Sequence, residues 1–95
     1  MPELLTEELI NEHLEENMLW SREGNTIVRE IAFKDFVSAI GFVNAVAVIA
    51  EKNDHHPDIL IYGWNKVRIS LSTHDKGGLT VLDINLAREI DSIGF

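Results

Sequence analysis

Residues 59–72 read Ile59-Leu60-Ile61-Tyr62-Gly63-Trp64-Asn65-Lys66-Val67-Arg68-Ile69-Ser70-Leu71-Ser72, and their pattern decides the fold. From Lys66 to Ser72 the residues alternate. Val67, Ile69 and Leu71 point one way, and Lys66, Arg68, Ser70 and Ser72 the other. A period of two belongs to a strand with one buried and one wet face. Ile59 to Tyr62 reads as a second, short apolar strand, and Gly63 between the two suggests a turn or a bulge. So short a connection joins antiparallel neighbours, because parallel strands need a long crossover.

Upstream the pattern repeats. Met18 to Arg22 and Thr26 to Phe33 read as two strands around a Glu23-Gly24-Asn25 turn. Ile27, Ile31 and Phe33 fall at even spacing, and Arg29 interrupts them. Between the two strand pairs, from Lys34 to about Asn53, the period becomes helical. Phe36, Ile40, Val43, Ala47 and Ala50 follow at three and four residues, which assigns them to one inward face. Phe42, Val46 and Ile49 are also apolar and lie off that stripe, so the helix is expected to be buried on a second side, against another subunit. Pro57 ends the run, since the residue before a proline is pushed out of the α region.

Both ends of the chain read as helices. Thr6 caps the first, with Glu7 and Glu8 at the positive end of its dipole, Leu5 and Ile10 spaced as a hydrophobic staple, and Leu9, Ile10 and Leu14 as its apolar stripe. Thr80 and Asp83 have capping-box spacing ahead of a last helix that turns Ile84, Ala87 and Ile90 inward. The order is α-β-β-α-β-β-α. It predicts an α+β fold, a four-stranded antiparallel sheet with three helices packed on one face and both sheet edges left unpaired.

The 95 residues are enough for one core, so residues 1–95 are expected to form a single domain. Eight Lys and Arg against sixteen Asp and Glu give a formal charge of -8, the wrong sign for non-specific binding to nucleic acid or to anionic lipid. Cysteine is absent, which removes disulfides, thiolate metal sites and Cys nucleophiles. The opening Met1-Pro2-Glu3 lacks the basic start of a secretory peptide. The most apolar stretch, Ile40 to Ala50, carries Asn44 and falls short of the ~20 residues that cross a bilayer. A cytoplasmic chain with no membrane segment is the expectation.

The remaining chemistry lies in histidines and carboxylates at element ends, where a rigid scaffold presents functional groups. His55 and His56 close the long helix in Glu51-Lys52-Asn53-Asp54-His55-His56-Pro57, and His74 follows the last strand in Ser72-Thr73-His74-Asp75-Lys76-Gly77-Gly78. Imidazole donates and accepts protons near neutral pH. Glu51 stands one helical turn before His55 and Asp54 beside it, and Asp83 could orient His74 if its loop folds back. Such a group suits proton transfer on a small molecule. Simpler readings stand beside it: His-His-Pro as a polar helix end, Asp83 as a cap only, Gly77-Gly78 as a tight turn. A zinc ion could use the same residues. Adjacent histidines on extended backbone point to opposite faces, however, and no His-x-x-x-His pair is present, so no metal is expected. His13 has no partners and is assigned no function. Trp20 and Trp64 are assigned to the core or an interface.

The blocks Glu51-Lys52-Asn53-Asp54-His55-His56-Pro57, Leu71-Ser72-Thr73-His74, Gly78-Leu79-Thr80 and Asp83-Ile84-Asn85-Leu86-Ala87, with Trp20 and Phe33-Lys34-Asp35-Phe36, resemble the pterin-4a-carbinolamine dehydratase family. The resemblance covers nearly the whole chain from Trp20 on. It implies three helices on one side of a four-stranded antiparallel sheet and assembly as a homodimer or homotetramer. It also implies dehydration of a 4a-hydroxytetrahydropterin, the carbinolamine left by an aromatic amino-acid hydroxylase, with no metal or organic cofactor. On this basis the catalytic residues are His55, His56 and His74, and the substrate-binding residues are Glu51, Asp54, Pro57 and Asp83. The similarity suggests His55 as acid, His74 as base and His56 as positioner. Animal relatives also bind a transcription factor, so a non-catalytic interaction module is the alternative. Three departures stand out: Ile59 in place of an aromatic residue, Leu82 in place of a basic one, and a longer Asp58–Trp64 stretch in which Gly63 and Trp64 would re-shape one pocket wall.

Overall fold

The structure, a computed structural model, describes residues 2–94, so Met1 of the opening tripeptide and the terminal residue lie outside it. The elements are α1 (Glu7–Glu16), β1 (Ser21–Glu23), β2 (Thr26–Ala32), α2 (Phe36–Asn53), β3 (Asp58–Tyr62), β4 (Lys66–Leu71), a single 3-10 turn (His74–Lys76) and α3 (Val81–Asp91). The four strands pair antiparallel in the order β1-β2-β4-β3. The fold is α+β, as the element order predicts.

The alternation in β4 sets the two faces. Val67, Ile69 and Leu71 are wholly buried. Register puts Ile31 beside Val67, Ile59 beside Ile69 and Ile27 beside Leu71. These residues form one apolar face, and α2 and α3 supply Ala39, Phe42, Val46, Ile84, Leu86, Ala87 and Ile90 to the same core. The opposite face is wet: Arg68 pairs with Glu23 at 2.5 Å, and the Tyr62 hydroxyl donates to Glu30 at 2.7 Å. That bond, with Glu30's charge nearby, holds the Tyr62 proton above the ordinary phenol range.

Arg29, which interrupts the apolar spacing of β2, lies opposite Ile69 and therefore faces the core. It finds a partner there. Its guanidinium reaches Asp91 of α3 at 2.5 Å, and the buried Trp20 indole donates to the same carboxylate at 2.9 Å. The period of two is thus intact, with one cation in a position otherwise held by an aliphatic side chain.

Three expectations need correction. The first strand is shorter than Met18–Arg22: it begins at Ser21, and Met18 and Leu19 form an exposed turn. In α1, Ile10 is buried while Leu9 is exposed. The inward face of α2 is turned from the expected stripe, of which Ala50 is buried and Val43 packs partly against the core. Ala39, Phe42, Val46 and Ala50 are buried, whereas Phe36, Ile40 and Ala47 are exposed. Both stripes have helical spacing, so periodicity cannot choose between them. Close packing does, because the small Ala39 lets the helix approach the rest of the core.

By length and composition α2 is apolar enough to span a membrane, with 18 residues and a mean hydropathy of 1.3. It is nonetheless packed along one side against α3 and the sheet, through Ala39, Phe42 and Val46. Its outer side leaves Val37 and Val48 largely exposed. No charged residue occurs from Phe36 to Ala50.

Candidate active site

Helix α2 delivers His55 and His56 by an abrupt stop. Asp54 adopts a left-handed conformation (φ 51°, ψ 41°), which aspartate tolerates better than most residues. Its N–H returns to Ala50 and Glu51 carbonyls, and the His55 N–H follows to Ala50 O at 3.2 Å. Pro57 then blocks any further helix, and the backbone enters β3 at Asp58. On this reversed, extended segment the two rings diverge: His55 is buried and His56 is exposed.

His74 is delivered by a closed loop after β4. Thr73 N–H donates to Gly78 O at 2.8 Å, and the two residues form an isolated antiparallel bridge. Gly77 supplies the positive φ of 68° that the return requires, its N–H bonding to Thr73 and His74 carbonyls. His74 is thereby held at the start of the 3-10 turn with its side chain exposed.

The two deliveries converge. His55, His56 and His74 line one cleft of about 340 Å³, together with Asp54, Pro57, Asp58, Thr73, Asp75 and Leu82. A larger hollow of about 660 Å³ lies between α2 and the end of β2. It is mostly apolar, with Phe33, Phe42, Ala45 and Ile93 in its walls, and among the described residues Lys34 is the one ionisable side chain in its lining. Among the described residues it gathers no acid–base pair. The histidine cleft is the candidate site.

Behind His55 stands Asp83, with no exposed surface. Its Oδ1 lies 2.6 Å from His55 Nε2, and its Oδ2 accepts from Thr73 Oγ1 and from the Thr80 N–H, both at 2.9 Å. The capping box at the start of α3 is present, so one carboxylate both caps a helix and orients an imidazole. Asp83 holds His55 rather than His74. With both oxygens occupied and no surface in the cleft, it stands behind the imidazole, and the expected direct contact with a substrate is not available to it. Glu51 Oε1 lies 2.7 Å from His56 Nε2, so this carboxylate orients His56 and not His55. Asp54 and Pro57 are in the cleft wall.

Sequence reasoning passed over Thr73, Asp58 and Asp75 as wall residues. The signal for Asp75 was its place beside His74. Thr73 could have been found as the partner of Thr80 across the Gly77-Gly78 turn. Of the departures, Leu82 lines the cleft, while Ile59 packs against the core. Gly63 and Trp64 do not re-shape the cleft: they form the β3–β4 turn at the other end of β3, away from Asp58, and Trp64 is exposed rather than in the core. Among the described residues, no set of three or more His, Asp and Glu is arranged to hold a metal ion.

The family profile described as Pterin 4 alpha carbinolamine dehydratase matches residues 3–93. A protein of Sulfurisphaera tokodaii named "Putative pterin-4-alpha-carbinolamine dehydratase" is 47% identical over 89 residues, covering 94% of this chain and 95% of that protein. One of the same name from Roseiflexus castenholzii is 50% identical over 93 residues, covering 98% and 99%. Among solved structures, a transcriptional coactivator/pterin dehydratase from Brucella melitensis superposes with a TM-score of 0.88 at 40% identity, covering 94% of this chain and 96% of that one. A pterin dehydratase-like protein described as a RuBisCO assembly factor in the alpha-carboxysome shares the fold at a TM-score of 0.62, with 22% identity, covering 77% of this chain and 83% of that one. The matched residues take in every histidine and carboxylate of the cleft, and the chain belongs to the pterin 4 alpha carbinolamine dehydratase family.

Proposed function

We propose that this chain dehydrates a 4a-hydroxytetrahydropterin to quinonoid dihydropterin and water by histidine general acid–base catalysis. The observation that carries this reading is the meeting of three imidazoles, from two distant segments, in one cleft. Elimination breaks the C4a–O bond and forms a C=N bond to the adjacent ring nitrogen. The leaving hydroxyl needs a proton and the ring nitrogen must lose one. His55, protonated on both ring nitrogens for this step and braced by Asp83 at Nε2, donates the proton of Nδ1. His74 accepts the proton from the ring nitrogen, and His56, tethered to Glu51, positions the bicycle. Each proton transfer contributes on the order of 10²–10⁴-fold. Asp54, Asp58 and Asp75 in the cleft wall suit the donor-rich pyrimidine edge of a pterin, a part that Asp83 cannot take. The chemistry needs no cofactor.

The test is direct. Purified protein added to freshly generated carbinolamine accelerates its dehydration above the solvent rate; failure to do so ends the enzyme reading. The family would then leave the interaction module, and the uncovered outer side of α2 is the observation in its favour. On the enzyme reading that same uncharged side, with Val37 and Val48 exposed, is covered by a second copy, as a homodimer or homotetramer in the cytoplasm. A chain of charge -8 associates most readily through a surface free of charge. An aromatic amino-acid hydroxylase is the reaction class that would supply the substrate.

A further inference from the structure

The hydrogen bonds behind His55 have a fixed direction. Thr80 Oγ1 accepts from the Leu82 N–H at 3.2 Å and lies 2.8 Å from Thr73 Oγ1, which lies 2.9 Å from Asp83 Oδ2. A hydroxyl carries one proton, and an ionised aspartate only accepts. The Thr73 proton therefore goes to Asp83, and Thr80 must give its own to Thr73. The Thr80 N–H, which can only donate, fills Oδ2 as well. The remaining oxygen, Oδ1, is left to accept from His55 Nε2 at 2.6 Å.

We propose that Thr73 is a positioning residue. Asp83, as an acceptor, keeps the proton on His55 Nε2, and Thr73, by holding Asp83, fixes where that ring points, so that Nδ1 is the nitrogen presented to the bound molecule. Thr73 is also the residue before His74 and itself lines the cleft. One hydroxyl thus ties the backbone that carries His74 directly to the carboxylate that orients His55. A misplacement of reacting groups by about 1 Å can cost 10²-fold in rate, so such a tie bears on turnover more than on affinity. This inference rests on the dehydratase reading only for the consequence in turnover.

The ring nitrogens of His55 report the tautomer without any reaction. In protein carrying 15N-labelled histidine, observed at a pH where the His55 ring is neutral, Nε2 is expected in the protonated range and Nδ1 in the unprotonated range. Thr73→Val, close in shape but without the donor, leaves Asp83 an acceptor and so keeps Nε2 protonated, but it frees the carboxylate to turn, and the His55 nitrogen signals are expected to shift and broaden. It should also lower kcat on the order of tenfold with KM unchanged within about twofold. Thr73→Ser restores both readouts. A residue that only fills space would lower the melting temperature and leave the nitrogen signals as they are. A protonated Nδ1 with a bare Nε2 in the wild type overturns the assignment, and so does a Thr73→Val protein with wild-type nitrogens. Should the wild type lack dehydratase activity, the substrate reading falls, while the nitrogen signals still decide the role of Thr73.

Discussion

His55 Nε2 and Asp83 Oδ1 lie 2.6 Å apart across 28 positions of sequence, and both residues are buried. An aspartate at that place accepts; an asparagine would present either a carbonyl or an amide, and its amide would drive His55 to the other tautomer. Asp83→Asn keeps the size of the side chain, and its carbonyl can still accept the Thr80 N–H. The expected result is a folded protein, judged by an unchanged circular dichroism spectrum, with turnover reduced on the order of 10²–10⁴-fold.

His74 enters the cleft from the other side and is exposed. Its removal leaves no buried partner orphaned. His74→Ala is therefore expected to keep the melting temperature and the oligomer size of the wild type while abolishing most carbinolamine dehydration, a loss of about 10²-fold or more. Sedimentation and stopped-flow assays on the same preparation separate the two.

The face of α2 offers a test of packing. Val46 is wholly buried and Ala47, its neighbour, is exposed. Val46→Ala is expected to cost about 2 kcal/mol through lost burial and the cavity left behind. Ala47→Leu, which adds bulk at a position that periodicity alone would bury, should leave denaturant midpoints close to those of the wild type. A large loss at Ala47 and none at Val46 would mean the helix presents its other side to the core.

These two residues also mark how far the sequence can be read. The strands were legible because a one-sided sheet imposes a period of two that Val67, Ile69 and Leu71 keep without exception. The helix orientation was not, because α2 is apolar on both sides and two stripes of equal spacing compete. At the site, the helix stop at Pro57 and the loop at Gly77-Gly78 located the histidines. The pairing of His55 with Asp83 was hidden, because a contact between residues so distant in sequence depends on how α3 docks beside α2. Arg29 looked like a break in its strand for the same reason: its partner Asp91 is on another element.

That Arg29–Asp91 pair is mostly buried, and Trp20 shares its carboxylate. Asp91→Ala would remove the carboxylate that the Arg29 guanidinium and the Trp20 indole N–H share. The expected cost is about 3 kcal/mol by chemical denaturation, because two mostly buried donors lose the charged acceptor they share. Combining Arg29→Met with Asp91→Ala closes a double-mutant cycle, which is expected to show a coupling of about 1–3 kcal/mol between the two side chains.

At the far end of α2 from the histidines, Asp35 Oδ1 accepts the Ser38 N–H at 2.7 Å and caps the helix. The hydrogen bonds from Ser38 hold the Asp35 carboxyl below its ordinary value of 3.8. The folded protein therefore binds this proton less readily than the unfolded chain does. The cap's contribution is fully present above the unfolded value and is lost as pH falls through the lowered folded one. Asp35→Ala is expected to lower the melting temperature by about a few degrees at neutral pH. That difference should shrink as both proteins are taken to strongly acid pH, where the wild-type cap is protonated too. Asp35→Asn, a cap that does not titrate, should stay close to wild type at neutral pH and lose less stability than it does on acidification. Melting curves of the three proteins from pH 7 downward check the sign, since a gap between wild type and Asp35→Ala that widened with acid would contradict a lowered Asp35.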